Sequence, residues 1–418
     1  MSQPHVVIVG GGFGGLSAAR ALRSAPVRVT LVDKRNHHVF QPLLYQVATA
    51  GLSPGDIASP IRWILRGQQH TRVLLAEATA IDPEHRVVRL LDGELGYDFL
   101  IVTTGATHAY FGHEEWQQWA PGLKTLEDAL DIRRRVLLAF ERAERAPDAT
   151  LQRRLLTFVV IGGGPTGVEL AGALAEISRH ALAHDFRRIA PETARVMLIE
   201  AGAAVLPSYP APLTAFARQA LERLGVEVWT GRLVTDIRDG RVLLGPETIE
   251  AGTVLWAAGV AASPLGHSLG VPTDRVGRVI VNDDLTIPAH ANVFVAGDLA
   301  AFTDRDGKLL PGVAQVAMQQ ARHAAHNVQR AIAGQAMTPF VYRNLGNMAT
   351  IGRNSAVGDF GWLRLRGYPA WLAWIFVHIY GLIGFRNRLS VMTDWAVSYL
   401  TYQRAVRLIT DEHTRTQA

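Results

Sequence analysis

Two glycine-rich runs in one chain constrain its fold more than any other feature: VVIVGGGFGGLSAARAL near the start and FVVIGGGPTGVEL from Phe158 to Leu170. Each opens on an apolar run of the length of a buried parallel strand, turns through glycines and continues as a helix. In the first copy Gly10, Gly12 and Gly15 occupy the G-x-G-x-x-G positions, and VRVTLVDKR supplies a second strand that ends on Asp33. The second copy places Gly162, Gly164 and Gly167 after LLTFVVIGGG, starts a helix at about Pro165 and ends the strand ARVMLIE on Glu200. In such a unit the first glycine permits the tight turn, the second lets backbone approach a pyrophosphate, and the third lets helix pack on strand. The helix N-terminus offers N–H groups and a positive dipole end to phosphates, and the terminal acid accepts hydrogen bonds from a ribose. The acid follows the first glycine by 23 positions in the first copy and by 38 in the second, a looser match.

Other segments repeat the pattern of a strand ending in a turn. YDFLIVTTGAT turns at Gly105, TVLWAAGV at Gly259, and ANVFVAGDLA at Gly297 and Asp298. A helix follows in GVAQVAMQQARHAAHNVQRAIAG, after which aromatics and arginines take over. At 418 residues and 48% apolar composition the chain has material for several cores and for a large buried ligand. The absence of cysteine removes disulfides, thiolate metal sites and every thiol-based redox mechanism. The first apolar run begins after four residues and leads into the glycine loop, so no signal or transit peptide is expected.

Taken together, the two fingerprints, the TTGAT and WAAG turns and VFVAGD resemble the flavoproteins with two dinucleotide-binding domains. Within that group FQPLLYQVATAGLSPGDIASPIR, GGGPTGVELAG, AQVAMQQ and LIGFRNR closely resemble the type II NADH:quinone oxidoreductases, over essentially the whole chain. The resemblance implies an α/β fold with two Rossmann-like domains, one for FAD and one for NADH, and a C-terminal membrane-associating helical module. The expected layout is 1–118 and 286–340 for FAD, 119–285 for NADH, and 341–418 for the module.

For FAD, the resemblance points to Gly10, Gly12, Phe13, Gly14, Gly15 and Asp33, with Asp298 on the ribityl and phosphate part. Asp298 is equally compatible with a turn or helix-capping aspartate. It adds Lys34, which otherwise reads as a solvated lysine, and Gln46 in the loop covering the flavin. Ala78 at the adenine, Thr104 and Gly105 at the strand facing the flavin, and Ala317 complete the set. For NADH it implies Gly162, Gly164, Pro165, Thr166, Gly167, Glu200 and Gly259. An acid at Glu200, followed by Ala201, Gly202 and Ala203 rather than arginine, favours NADH over NADPH. Glu169 reads either as a helix-start acid favoured by the macrodipole or, by resemblance, as a group between nicotinamide and flavin. Gln315 and Gln319 lie four apart on one helix face, and the resemblance associates A-Q-x-A-x-Q with a quinone headgroup, though solvent-facing glutamines have the same pattern. His37 and His38, adjacent on a strand, point to opposite faces, so no metal site is expected.

Beyond Gly334, PAWLAWIFVHIYGLIGF from Pro369 to Phe385 is uncharged and at the lower length limit for crossing a bilayer. After it Val391, Trp395, Tyr399, Tyr402, Val406 and Ile409 form a helical stripe beside Arg404 and Arg407. With Arg364, Arg366, Arg386 and Arg388 nearby, the pattern predicts helices lying in a membrane interface, on the cytoplasmic face, with a homodimer surface as the alternative. His378 and Tyr380 fall where a polar group can donate to a quinone. The implied activity is a membrane-associated NADH dehydrogenase that passes a hydride to FAD and two electrons to a membrane quinone without pumping protons; no nucleic-acid partner is expected. Two other readings stand beside it: an NADH-dependent flavoprotein reductase of a soluble electron carrier, and a non-catalytic NADH sensor.

Overall fold

The computed structural model describes residues 3–401 and 406–409, without the side chains of Phe385, Arg386 and 398–401. Tyr402, Arg404 and the side chains of Arg386 and Tyr399 therefore lie outside the described residues. The chain forms two compact units.

The first unit comprises Met1–His38, Ala58–His108 and Val260–Leu345. Its sheet runs, in spatial order, Thr286–Ile287, His290–Val295, Phe99–Val102, His5–Val9, Arg28–Asp33 and Thr71–Leu75. All neighbours are parallel except the first pair. A parallel sheet covered on both faces needs continuous apolar strands, and Val6, Val7 and Ile8 are wholly buried. Helices Phe13–Ala21 and Ala314–Ile332 pack on each other. A three-stranded meander, Ala78–Asp82, Val87–Leu90 and Gly93–Gly96, contributes Ile81 and Val88 to the core beside Val7 and Val9. Strand Ala106–His108 pairs antiparallel with Val260–Ala262, and the chain leaves this unit after His108 and rejoins it at Val260.

The second unit comprises Val39–Ile57, Ala109–Gly259 and Gly346–Ala418. Its parallel sheet has the order Val226–Thr230, Arg195–Glu200, Thr157–Ile161, Thr253–Trp256. Helix Leu126–Arg145 starts on a capping box in which Thr125 and Asp128 satisfy each other's backbone N–H groups, which fixes its first turn. A second helix, Pro165–Glu176, begins directly after the glycine turn with proline in its first turn, where a missing N–H costs nothing. A three-stranded antiparallel sheet, Asn347–Gly352, Ser355–Asp359 and Arg364–Gly367, lies on that helix. The approach is close because residue 172 is glycine: a Cβ there would sit 2.4 Å from the Ile351 carbonyl oxygen.

The uncharged run does not form one long helix. It is helical over Tyr368–Gly381, 14 residues, or about 21 Å at 1.5 Å per residue against a hydrocarbon core of about 30 Å. Among the described residues no helix is long and apolar enough to cross a membrane. Gly381 abuts the Phe40 ring, Gly384 takes a positive φ of 91°, and a new helix covers Phe385–Thr401.

The expected lipid-facing stripe faces inward at Val391 and Trp395. Val391 is wholly buried, and Trp395 stacks on Trp374 and donates from Nε1 to Gln46 Oε1 at 2.8 Å. Trp395 has a polar tip as well as an apolar body, and protein satisfies both. Among the described residues Tyr368, Leu372, Phe376, Val377, Tyr380, Leu389, Met392 and Val397 are the exposed large apolar side chains of the two helices. Two of the expected surface arginines also have internal work. Arg388 donates to the carbonyls of Tyr380 and Leu382, closing the end of the preceding helix, and Arg407 binds the Ala181 carbonyl and Asp185.

Candidate functional site

In the first unit the glycine turn is built against the next strand's end. Gly10 has φ 104°, and a Cβ on it would lie 2.5 Å from the Thr103 carbonyl oxygen; a Cβ on Gly15 would lie 1.7 Å from the Gly10 carbonyl oxygen. Neither position tolerates a side chain. At Gly12, the N-cap of the helix opened by Phe13, a Cβ would meet nothing within 4 Å, so backbone faces open space. Gly14 packs against the Thr103 side chain. Asp33 folds back on the turn: Oδ2 accepts from the Gly11 N–H at 2.5 Å and Oδ1 from the Arg35 N–H at 2.7 Å. Each carboxylate oxygen keeps a lone pair, as a ribose diol requires. Ala78 begins the strand that follows Ala76, whose N–H bonds the Asp33 carbonyl. Lys34 forms an exposed ion pair with Glu77 at 3.4 Å, which contributes little to stability.

Gly297 and Asp298 form a single 3-10 turn in which Gly297, at φ 78°, donates its N–H to the buried Gln320 Oε1 at 2.8 Å. Ala317 is small enough to let that turn approach, since a Cβ on Gly297 would lie 3.0 Å from its methyl group. The helix carrying Ala317 starts at Ala314 with neither a side-chain cap nor an acid in its first turn, so its N–H groups keep their positive field. At the end of strand Phe99–Val102, Thr104 Oγ1 is buried without a partner and Gly105, at φ 70°, leaves the adjoining space open. An orphaned buried hydroxyl is costly unless something else satisfies it. These residues fit a dinucleotide with polar groups along its length.

Sequence reasoning missed three residues of this cradle. Thr103 donates from Oγ1 to the carbonyls of Val9 and Gly10, each at 3.1 Å, and so holds the turn from beneath. Gln320 fixes Gly297. His38, dismissed as a metal ligand, is 3% exposed; its Nδ1 lies 3.3 Å from the Gly11 carbonyl oxygen and its ring meets Phe13 edge-on at 4.8 Å. Burial holds its pKa down to about 4, so the ring is neutral, with Nδ1 as donor and Nε2 as an acceptor that lacks a partner. The sequence signal was the histidine's place five residues after the acid.

The second unit repeats the first cradle. Gly162 has φ 109° with the Ala257 carbonyl 2.5 Å from its would-be Cβ, Gly167 stands 1.8 Å from the Gly162 carbonyl oxygen in the same sense, and Gly164 opens onto free space. Glu200 Oε2 accepts from the Gly163 N–H at 2.5 Å and Oε1 from the Gly202 N–H at 2.6 Å. Pro165 and Thr166 are exposed at the helix start, and Gly259 lies two residues beyond Ala257.

Glu169 is partly buried on the helix Pro165–Glu176. Burial pushes its carboxyl up from 4.5 to about 8, against the opposing pull of a hydrogen bond from the Thr350 backbone. Tyr209 is raised as well, by burial first and then by the charges of Glu169 and Asp359, which places all three in one electrostatic neighbourhood. At neutral pH Glu169 is a carboxylic acid, able to donate a proton or a hydrogen bond.

The remaining expected residues are engaged within the protein. Gln319 donates from Nε2 to the Arg343 carbonyl at 2.9 Å and accepts at Oε1 from the Arg343 N–H at 3.0 Å; Gln315 Oε1 accepts from the Leu345 N–H at 3.1 Å. The two glutamines thus share one helix face, as their spacing implies, and bind the segment 343–345. Gln46 lies in the second unit, where it accepts from Trp395 and donates to the Tyr45 hydroxyl at 2.9 Å. His378 stacks on Trp374 at 4.2 Å and bonds its carbonyl through Nδ1 at 2.7 Å, while burial lowers its pKa to about 4. Tyr380 is exposed, beneath the Arg388 guanidinium.

Residues 4–321 match the pyridine nucleotide-disulphide oxidoreductase family, and residues 344–403 match the NDH2 C-terminal domain. The chain is 46% identical to the type II NADH:quinone oxidoreductase NdhA of Mycobacterium tuberculosis, over 98% of this chain and 90% of that protein. It is 30% identical to the demethylphylloquinone reductase NdbB of Synechocystis, over 94% and 96% of the two chains. The solved structure of NDH2 from Plasmodium falciparum in complex with NADH superimposes with a TM-score of 0.90 at 20% identity, covering 98% of this chain and all of the other.

Proposed function

The chain belongs to the type II NADH:quinone oxidoreductases, and from that membership we propose how its own residues divide the work. It is an FAD-dependent enzyme that oxidises NADH and reduces a quinone without pumping protons. When bound, FAD would supply the hydride acceptor and two-electron carrier between nicotinamide and quinone. The protein's part is to bind, to orient and to manage protons.

In this reading the first cradle holds FAD. The turn at Gly10, Gly12, Phe13, Gly14 and Gly15 takes the pyrophosphate, and Asp33 and Ala78 take the adenosine end. Thr104, Gly105, Asp298 and Ala317 line the flavin half. The second cradle takes NADH through Gly162, Gly164, Pro165, Thr166 and Gly167, with Glu200 on the ribose and Gly259 beyond. Glu169, protonated at neutral pH, positions the nicotinamide or delivers a proton. The absence of cysteine rules out the thiol chemistry in the broader family's name. The observation that carries the reading is the duplicated cradle itself, two turns of the same geometry each closed by its own acid.

The glutamine pair supports quinone binding less directly than the spacing suggested. Gln319 spends both ends of its amide on Arg343, so we assign it to holding segment 343–345 and leave Gln315 as the headgroup candidate. The exposed row of Leu372, Phe376, Val377, Tyr380, Leu389 and Met392 supports peripheral attachment to a membrane, where a quinone with an apolar tail resides, and we assign the attachment to the cytoplasmic face. A second copy of the chain is the competing occupant of that row, and liposome flotation of a detergent-free monomer separates the two.

The test is to follow oxidation of NADH and NADPH by the purified yellow protein with a short-tailed quinone. NADH is expected to be strongly preferred. Equal use of NADPH by the native protein refutes the role of Glu200, because a carboxylate repels a 2′-phosphate.

A further inference from the structure

An exposed phenyl ring stands beside the nucleotide cradle of the second unit, on a backbone that phenylalanine seldom adopts. Phe111 is 67% exposed and has φ 55°, in the left-handed region; Gly112 follows at φ 91°. Left-handed backbone on a bulky residue and an apolar ring mostly in water, meeting Trp256 edge-on at 6.2 Å, are both unfavourable, and such strain clusters at ligand sites. The surroundings are fixed. Tyr110 is buried, stacks on Trp256 at 5.1 Å and donates its hydroxyl to the Ala120 carbonyl at 2.9 Å. Ala109 accepts from Trp256 Nε1 at 2.9 Å and donates its N–H to the Gly259 carbonyl at 3.3 Å. The loop is thus pinned on both sides of the one side chain that projects.

The ring lies over Gly259, where a Cβ would be 2.6 Å from its Cζ. The strand order shows which part of a ligand that is. The strand ending at Glu200 and the strand leading to Gly259 flank the strand that carries the glycine turn, one on each side. Ligands lie across the carboxyl ends of such a sheet. With the adenosine ribose at Glu200 and the pyrophosphate at the glycine turn, the remaining half of the dinucleotide extends toward Gly259.

We propose that Phe111 is a positioning residue for the nicotinamide of NADH, its ring forming an apolar wall that packs on the dihydropyridine. The proposal rests on the assignment of the second cradle to NADH. A planar, uncharged ring is a suitable partner for the flat, uncharged dihydropyridine, whereas the hydroxylated adenosine end is held by Glu200.

The test compares Phe111→Ala, Phe111→Leu and Phe111→Tyr with the native holoenzyme by stopped-flow reduction of the flavin and by competition with ADP-ribose, which lacks the nicotinamide. Phe111→Ala is expected to raise the dissociation constant for NADH about tenfold, equivalent to about 1.4 kcal/mol. Phe111→Leu falls between and Phe111→Tyr restores native affinity. ADP-ribose affinity, melting temperature and reoxidation by quinone stay at native values. An unchanged NADH constant overturns the proposal, and so does an equal loss for NADH and ADP-ribose, which places the ring elsewhere. Failure of NADH to reduce the native flavin at all instead defeats the underlying assignment.

Discussion

Replacing Glu169 by glutamine is expected to stabilise the protein, and to do so only as the pH rises. The folded carboxyl titrates near 8, against an ordinary value of 4.5, because burial disfavours its charge. Between those values the unfolded chain has released its proton and the folded one has not, so the folded state binds more protons and stability falls with increasing pH. Below about pH 4.5 acid and amide are both neutral and the variants match. The gap opens through the intervening range and levels off above pH 8. At about 1.4 kcal/mol per pKa unit the plateau is on the order of a few kcal/mol, the partial exposure of Glu169 keeping it below the full product. Glutamine's carbonyl still accepts from the Thr350 N–H, so packing is conserved. With about 2–4 °C per kcal/mol for a unit of 150–250 residues, the holoenzyme variant should melt several degrees above native protein at pH 9 and alongside it at pH 5. A constant gap across the range, or one that narrows with pH, refutes the claim that a buried neutral acid occupies this position.

Three further expectations follow from the geometry. Glu200→Gln keeps an acceptor for the glycine turn but loses the charge, so the preference for NADH over NADPH should fall tenfold or more in kcat/KM, about 1.4 kcal/mol or above; an unchanged ratio contradicts the assignment. Gln319→Ala removes two hydrogen bonds to Arg343 and should cost about 1–2 kcal/mol of stability and expose segment 343–345 to protease, with little direct effect on quinone KM, whereas Gln315→Ala should raise that KM. Replacing Phe376 and Tyr380 together by serine should reduce flotation with anionic liposomes by at least tenfold, at about 2 kcal/mol per apolar side chain withdrawn from lipid, and leave NADH oxidation by a soluble acceptor intact.

The two cradles were legible in the sequence because their chemistry is backbone chemistry. A glycine that must sit 1.7 or 1.8 Å from a carbonyl where others carry Cβ leaves no choice of residue, and the strand that follows must end on an acid within reach of the turn. Periodicity and spacing therefore place Gly15, Gly167, Asp33 and Glu200 without reference to the rest of the chain. What escaped depends on partners distant in sequence. Val391 and Trp395 form the stripe of an interfacial helix, yet the buried face of that stripe is set by Gln46 and Trp374, which no local pattern relates to it. Gln315 and Gln319 have the spacing of a site, and the structure shows that this spacing also suits clamping an extended strap, since residues 343 and 345 of an extended segment present their backbones at matching intervals. His38 was misjudged for a related reason. Adjacent histidines argue against a shared metal, but alternation across a strand also sends one of them inward, and an inward histidine that donates to the turn must leave its other nitrogen as an acceptor. A neutral Nε2 disfavours phosphate oxygens and suits hydroxyls.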